Sequence, residues 1–506
     1  MKIVLISPFP TLSALGVRGL SSWLKQNGHQ VQVFHMARPS MEFSDKLEYR
    51  LQYPDKAYDQ LAELCKDCQL IGISLFTQHY EGALHITEAL KKRIPQIPVI
   101  WGGIHPTVKP DECIEHADFI CRGEGEESLL ELVTRMEKGE NLTTIPGIWA
   151  RKGKDIFKNP EWPLVEDLDR YPIYDYGIDD HFIYLENEEK ITPMTWELLK
   201  DHMDKDALDS KKGSQGKGTL YSTLGTRGCP LNCSYCCNNA YRKLYPRQKY
   251  VRHRSIGHII SELVWVREHM PWVTMVCFED DSFLTASIEE IQEFARLYKD
   301  NVGLPFRCLH EPLTFNLEKM NALLEAGLVG IQMGIETAAP NTLKMYNRGG
   351  LGKKIMEAAQ ILADVSKTSQ KPFYILYDLI IDNPWETDDD LLETVKFVVD
   401  LPGNFHLNIF SLVFYPGTEL YERAKREGLL TDETKQIYRK TPDIKKQTYI
   451  SFLLMLLKKR VPHFILRPLV HPAVVKVLNY KRFRWIYQSI FKTIHILRQV
   501  PQRTGI

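Results

Sequence analysis

Three cysteines, Cys229, Cys233 and Cys236, stand at C-x3-C-x2-C spacing just after the strand-like run Thr219-Leu-Tyr-Ser-Thr-Leu224. Gly228 and Pro230 place them on a loop rather than inside a helix or strand. Thiolates are soft donors that suit iron–sulfur clusters or zinc. A closed structural zinc site and an all-protein ferredoxin-type cluster each want four protein ligands. Three thiolates on one loop suit a cubane with one iron left open to a non-protein ligand. A cysteine-rich loop or a partial zinc knuckle is the alternative from these residues alone. Cys237 follows directly and reads as a neighbour of the set, not a member.

The length of 506 residues allows two to four domains with ample core. Ten cysteines are scattered without a small-domain framework, so a reducing compartment, the cytoplasm, is expected. Met1-Lys-Ile-Val-Leu-Ile-Ser-Pro8 is a short apolar strand, not a secretory signal, and no apolar run is long enough to span a membrane.

Residues 1–150 alternate strand and helix. Strands are expected at Lys2–Ser7, His29–Phe34, Leu70–Leu75, Pro98–Trp101 and Asp118–Cys121, and helices at Leu15–Asn27, Ala57–Cys68, His85–Arg93 and Glu126–Lys138. The pattern predicts a doubly wound, Rossmann-like parallel sheet, whose ligands bind at the carboxyl ends of the strands. Those ends carry Ser74, Gly102-Gly103 and Gly123-Glu-Gly-Glu126. No G-x-G-x-x-G follows the first strand, which argues against a dinucleotide. His105 is a candidate ligand contact or a turn residue, and Cys65-x-x-Cys68 reads as helix packing. Residues 151–218 read as a linker, with a charged Ser/Gly/Lys-rich loop at Asp201–Lys217.

Residues 219–430 repeat the alternation with six strand–helix units, which predicts a partial (β/α)6 barrel of the TIM type. Polar residues fall at its strand ends: Glu279, Asp280 and Asp281 after the second strand, Glu336 after the fourth, Asp382-Asn-Pro-Trp-Glu-Thr387 after the fifth and Tyr415-Pro-Gly-Thr-Glu-Leu-Tyr421 after the sixth.

The cysteine spacing, with Tyr235 as the aromatic before the third cysteine, resembles the radical SAM family. The resemblance implies a [4Fe-4S] cluster on Cys229, Cys233 and Cys236, with S-adenosylmethionine (SAM) chelating the open iron. The run Phe-Glu-Asp-Asp-Ser-Phe283 resembles the Asp-Asp variant of cobalamin-type members, where a carboxylate accepts hydrogen bonds from the SAM ammonium. Glu336 would bind the ribose hydroxyls or the methionine end. Residues 1–150 resemble a cobalamin-binding domain: Ser74-Leu75 is similar to its serine motif, and Gly102-Gly103, 28 positions on, to the glycine pair that admits the nucleotide tail. One departure is plain. The D-x-H-x-x-G motif that supplies a lower cobalt ligand is absent, and Pro8-Phe-Pro-Thr-Leu-Ser-Ala-Leu-Gly16 stands in its place.

The resemblance, a cobalamin-dependent radical SAM methyltransferase-like enzyme, implies reductive cleavage of SAM to a 5′-deoxyadenosyl radical. Methylation of an unactivated carbon in a small or lipid-like substrate would follow, with electrons from a flavodoxin or ferredoxin. Rearrangement, cyclisation or oxidation with the same cofactors is the alternative within enzymes, and a cobalamin or iron–sulfur sensor the alternative outside them. A methylthiotransferase is disfavoured, since the first domain offers no second cysteine triad.

Residues 431–506 form a basic, helical extension. Residues 444–506 hold 13 Lys or Arg and no Asp or Glu, so with an overall charge of zero the other 443 residues carry a net −13. Apolar and basic residues interleave through Ile450–Arg460 and Phe483–Leu497, as in segments lying on an anionic membrane. Packing on the barrel is the competing expectation. No nucleic-acid module accompanies the tail, which argues against that partner.

Overall fold

The computed structural model describes residues 1–36, 52–205, 218–369, 372–440, 448–483 and 485–490. Nine strands form the first sheet: β1 (Lys2–Ser7), β2 (Gln30–His35), β3 (Leu70–Ser74), β4 (Val99–Gly102), β5 (Phe119–Cys121), β6 (Ile148–Lys152), β7 (Asp155–Phe157), β8 (His181–Leu185) and β9 (Lys190–Pro193). Their order is β7-β6-β5-β4-β3-β1-β2-β8-β9. The central strands are parallel, with Ile3 opposite both Val31 and Leu70 and Ser74 opposite Gly102. Five of the six β1 residues are buried, as expected of a strand covered on both faces. Helix Leu15–Gln26 covers one face with Val17, Ser21 and Leu24, spaced as one helical stripe. Ile3, Leu5, Val33, Leu70, Ile100, Leu132 and Val133 complete that core. Burying each such side chain contributes about 1.5–3 kcal/mol.

Residues 151–218, a linker by sequence, supply most of β6–β9. These strands pair antiparallel at both edges of the sheet, apart from the parallel β2–β8 pair. β7 is wholly exposed, so it carries no apolar alternation for sequence reasoning to find. The segment Asp167–Tyr176 is tied down: Asp175 accepts from Ser21 Oγ (2.5 Å), and Asp169 accepts from Ser255 N (2.8 Å). Residues 206–217 of the expected loop lie outside the described residues.

The second sheet holds β10 (Thr219–Thr223), then, beyond the two-stranded hairpin of β11 (Thr226–Arg227) and β12 (Arg252–His253), β13 (Val273–Phe278), β14 (Phe306–His310), β15 (Leu328–Glu336), β16 (Tyr374–Ile381) and β17 (His406–Ser411). Its order, β10-β13-β14-β15-β16-β17, is that of an open, curled half-barrel. The pairs β10–β13, β15–β16 and β16–β17 are parallel.

The chain divides into two compact units, one of residues 1–286, 293–306 and 414–440 and one of residues 287–292, 307–413 and 441–506. In the second, helix Asp388–Asp400 opens on a capping box between Thr387 and Asp390. Helix Tyr449–Lys458 packs on it and buries Ile450, Leu453, Leu454 and Leu457. Two shorter helices, His463–Leu469 and Pro472–Leu478, follow, as the sequence predicts for a helical extension.

Candidate active site

The cysteine loop leaves β11 at Gly228. That glycine sits at φ +88°, and a Cβ there would fall 2.5 Å from the Tyr250 carbonyl oxygen, so no larger residue fits the turn. Cys236 N donates to Cys233 O (3.0 Å), and helix Cys237–Leu244 starts at once. The loop is held from outside as well. Leu420 N donates to Ser234 O (3.0 Å), Asn239 Nδ2 donates to Asn232 Oδ1 (3.0 Å) and Glu419 Oε1 (2.7 Å), and Arg242 donates to the Cys229 carbonyl.

Cys233 is buried, while Cys229 and Cys236 are half-buried. Burial pushes the Cys229 thiol up to about 12. A hydrogen bond with Cys237 draws Cys236 below the ordinary thiol range. Among the described residues no three His, Cys, Asp or Glu side chains converge as a single-ion site would need. A cubane presents three separate irons to three thiolates, which three cysteines on one loop can supply. Asn238 joins the third cysteine to its surroundings. Its Nδ2 lies 3.7 Å from Cys236 Sγ and its Oδ1 accepts from the Tyr250 hydroxyl (2.6 Å).

The carboxylates after β13 divide in two. Asp280 is fully buried, and its oxygens accept from Gly225 N (3.1 Å) and Thr226 Oγ1 (2.6 Å), the residues that lead into the cysteine loop. Burial raises its pKa to about 6. Glu279 and Asp281 instead line a cavity of about 480 Å³, a volume in the range of small-molecule sites. Burial also raises Asp281, against the pull of the Asn238 amide.

The same cavity is floored by the first sheet. Ser74, Gly102 and Gly103 line it, together with the Gly123–Glu126 turn after β5 and Gly16 at the head of the first helix. All but the last lie at carboxyl ends of parallel strands, beside the point where the strand order reverses. Gly103 is at φ +98°, and a Cβ there would come within 2.7 Å of the Leu75 carbonyl oxygen. Leu5, Leu15, Leu20, Ile73, Ile100 and Leu129 make this end apolar. Cys237, exposed by its surface area, is exposed into this cavity. Cys229, Cys233, Cys236, Tyr235 and Asp280 are not among the lining residues.

A charge clamp fixes the floor to the cysteine loop, and sequence reasoning missed it. Arg227 pairs with Glu124 (3.1 Å) and Glu126 (2.6 Å), and the buried guanidinium of Arg252 forks onto both oxygens of Glu124. The β11–β12 register sets the two arginines opposite each other. Burial works against the Glu124 charge, but Arg227 and Arg252 hold its carboxyl below the ordinary range. The only hint in the sequence is an arginine directly before Gly228-Cys229 and another in the run Val251-Arg-His-Arg254.

His105 is a core residue: it is buried, with Nδ1 3.3 Å from Thr77 Oγ1 and its ring against Tyr80 and Tyr438. Cys65 and Cys68 are buried with thiols pushed up by burial, as packing residues would be. Glu336 belongs to the second unit, at the end of β15. It takes φ +68°, and Asp382 at the end of β16 takes φ +61°, left-handed conformations that cost about 1–3 kcal/mol each in non-glycine residues. Glu386 in the following loop accepts from Thr342 Oγ1 (3.2 Å).

Residues 223–398 match the Radical SAM superfamily and residues 1–133 the B12 binding domain. The chain is a radical SAM enzyme with a cobalamin-binding domain. Its cofactors are a [4Fe-4S] cluster, SAM and cobalamin. It is 26% identical to an uncharacterized methyltransferase of Pyrococcus horikoshii, covering 93% of this chain and 94% of that one. It is 23% identical to the anaerobic magnesium-protoporphyrin IX monomethyl ester cyclase of a Synechocystis species, covering 85% and 77%. Among solved structures, the radical S-adenosylmethionine methyltransferase TsrM of Kitasatospora setae shares the fold, with TM-score 0.61 and 16% identity over 84% of this chain and 76% of that one.

Cobalamin fits what the cavity offers: an apolar, glycine-floored strand-end recess. No histidine stands among the lining residues, in keeping with the missing D-x-H-x-x-G motif.

Proposed function

We propose that this enzyme transfers a methyl group to an unactivated carbon of a small or lipid-like molecule. When bound, the cluster supplies the electron that cleaves SAM to methionine and a 5′-deoxyadenosyl radical, and cobalamin supplies the methyl group. The observation that carries this reading is one cavity with walls from both domains. Its floor is Ser74, Gly102 and Gly103 from the cobalamin-binding domain, and its other wall is Glu279, Asp281 and Cys237 beside the cysteine loop. Two cofactors opening on one space suit a methyl donor that must reach a substrate radical.

In this reading Cys229, Cys233 and Cys236 hold three irons, and Tyr235, directly before the third cysteine, contacts a cofactor. Glu279 and Asp281 accept from the SAM ammonium. Asp280, its oxygens engaged with Gly225 and Thr226, positions the entry to the cysteine loop. The cluster accepts one electron at a time, which suits a flavodoxin or ferredoxin as the donor protein. A reducing, cytoplasmic setting would protect the cluster.

The cyclase relative favours a second reading, radical cyclisation without methyl transfer. Reduced holoenzyme, SAM with a deuterated methyl group and a lipid and small-molecule extract separate the two. Label in a product heavier by one methylene unit is expected. Formation of 5′-deoxyadenosine with unlabelled product would favour cyclisation. No 5′-deoxyadenosine at all would favour a sensor.

A further inference from the structure

The structure splits the basic C-terminal stretch into two parts of different character. Helix Tyr449–Lys458 is core, its apolar stripe buried against helix Asp388–Asp400. The helices after it leave large apolar side chains in water. Phe464 is 74% exposed, Trp485 65%, Tyr480 62%, Val477 56% and Ile465 45%. These are five of the twelve large hydrophobic side chains most exposed among the described residues, gathered in 22 consecutive positions. Arg467, whose Nε lies 3.5 Å from Asp400 Oδ1, Lys476 and Arg482 are exposed among them, and the Arg482 guanidinium lies 4.7 Å from the Phe483 ring centre. Residues 444–506 contain no acidic side chain to neutralise this charge from within the stretch.

We propose that residues 463–490 seat the protein on an anionic lipid membrane. Charge complementarity chooses the occupant. Lys and Arg meet lipid phosphates, Trp and Tyr enter the headgroup layer, where aromatic rings with one apolar and one polar end are favoured, and the hydrocarbon ring of Phe inserts with them. Ile465 and Val477 gain from hydrocarbon and have no stacking partner on a nucleic acid, which would use the aromatics alone. Among the described residues no helix is long and apolar enough to cross a membrane. Pro462, Pro468 and Pro472 hold the stretch to short helices. The segment therefore lies on the surface rather than spanning it. The inference does not rest on the methyl-transfer reading.

Flotation of the full-length holoenzyme with vesicles tests it. Vesicles of phosphatidylcholine mixed with phosphatidylglycerol should carry the protein, and pure phosphatidylcholine should carry much less. Lys476→Gln and Arg482→Gln should each weaken partition about fivefold, the effect of one basic charge at an anionic surface. Phe464→Ser with Trp485→Ser should weaken it at least about tenfold, given the value of burying such side chains. Both sets change exposed residues, and unaltered melting temperatures would show that the fold is intact. Failure of the wild type to float overturns the proposal, as does undiminished flotation of the variants. Retention on single-stranded nucleic acid without vesicle binding would reassign the surface and overturn it too.

Discussion

Asp280 shows how one buried carboxylate can serve a site it does not line. Its oxygens hold Gly225 and Thr226, so its energy is invested in the start of the cysteine loop. Its folded-state pKa of about 6 lies above the ordinary 3.8, because burial penalises the charged form. The native state therefore binds this proton more tightly than the unfolded chain does. The contribution of Asp280 to stability is greatest below about pH 4, falls between about pH 4 and pH 6, and is level above that. Asp280→Asn cannot titrate. Urea midpoints should shift in its favour relative to wild type across that window, and a pH-independent difference would contradict the account. Gly102 offers a cleaner probe of the floor. A Cβ there would meet only Cys121 Cβ, at 3.6 Å, so the protein itself tolerates a side chain. Gly102→Phe should lose bound cobalamin while keeping its iron, as read from metal content. At this scale the cysteines and Glu279–Asp281 could be singled out from the sequence because ligand sets and strand-end acids are local in it. The pairing of Arg227 with Glu124 was not, since the partners lie 103 positions apart.

Among elements, the β11–β12 hairpin is the smallest and the most consequential. Two residue pairs set Arg227 and Arg252 side by side, facing the Gly123–Glu126 turn. Glu124→Ala should cost about 3 kcal/mol in denaturant unfolding, because it strands the buried Arg252 charge. Glu124→Gln should cost less, since it keeps one acceptor. Glu124→Ala combined with Arg252→Ala should fall short of the sum of the two, the mark of a shared interaction. Additive losses would mean that the clamp contributes nothing as a pair. Strands β1–β5 of the first sheet and the six strands of the second were readable as apolar runs between helical periods. The hairpin and the edge strands β6–β9 were not. They are two to five residues long, and their pairing is set by neighbours rather than by their own pattern.

At the scale of the molecule, sequence reasoning assigned the cobalamin fold and the cysteine loop to separate domains joined by a linker. In the structure the first sheet, the linker strands and the cysteine loop share one compact unit, with a common cavity. That grouping depends on long-range contacts that no local pattern encodes. In the proposed methyl transfer, that one recess would be open to both cofactors. Anaerobic purification with cobalamin supplied, followed by iron and cobalt analysis, tests this most directly. The account predicts about four irons and one cobalt per chain. It also predicts loss of iron and of SAM cleavage when Cys229, Cys233 or Cys236 is replaced by alanine. Four irons with no cobalt, under conditions where cobalamin is abundant, would contradict the shared site and with it the methyl-transfer reading.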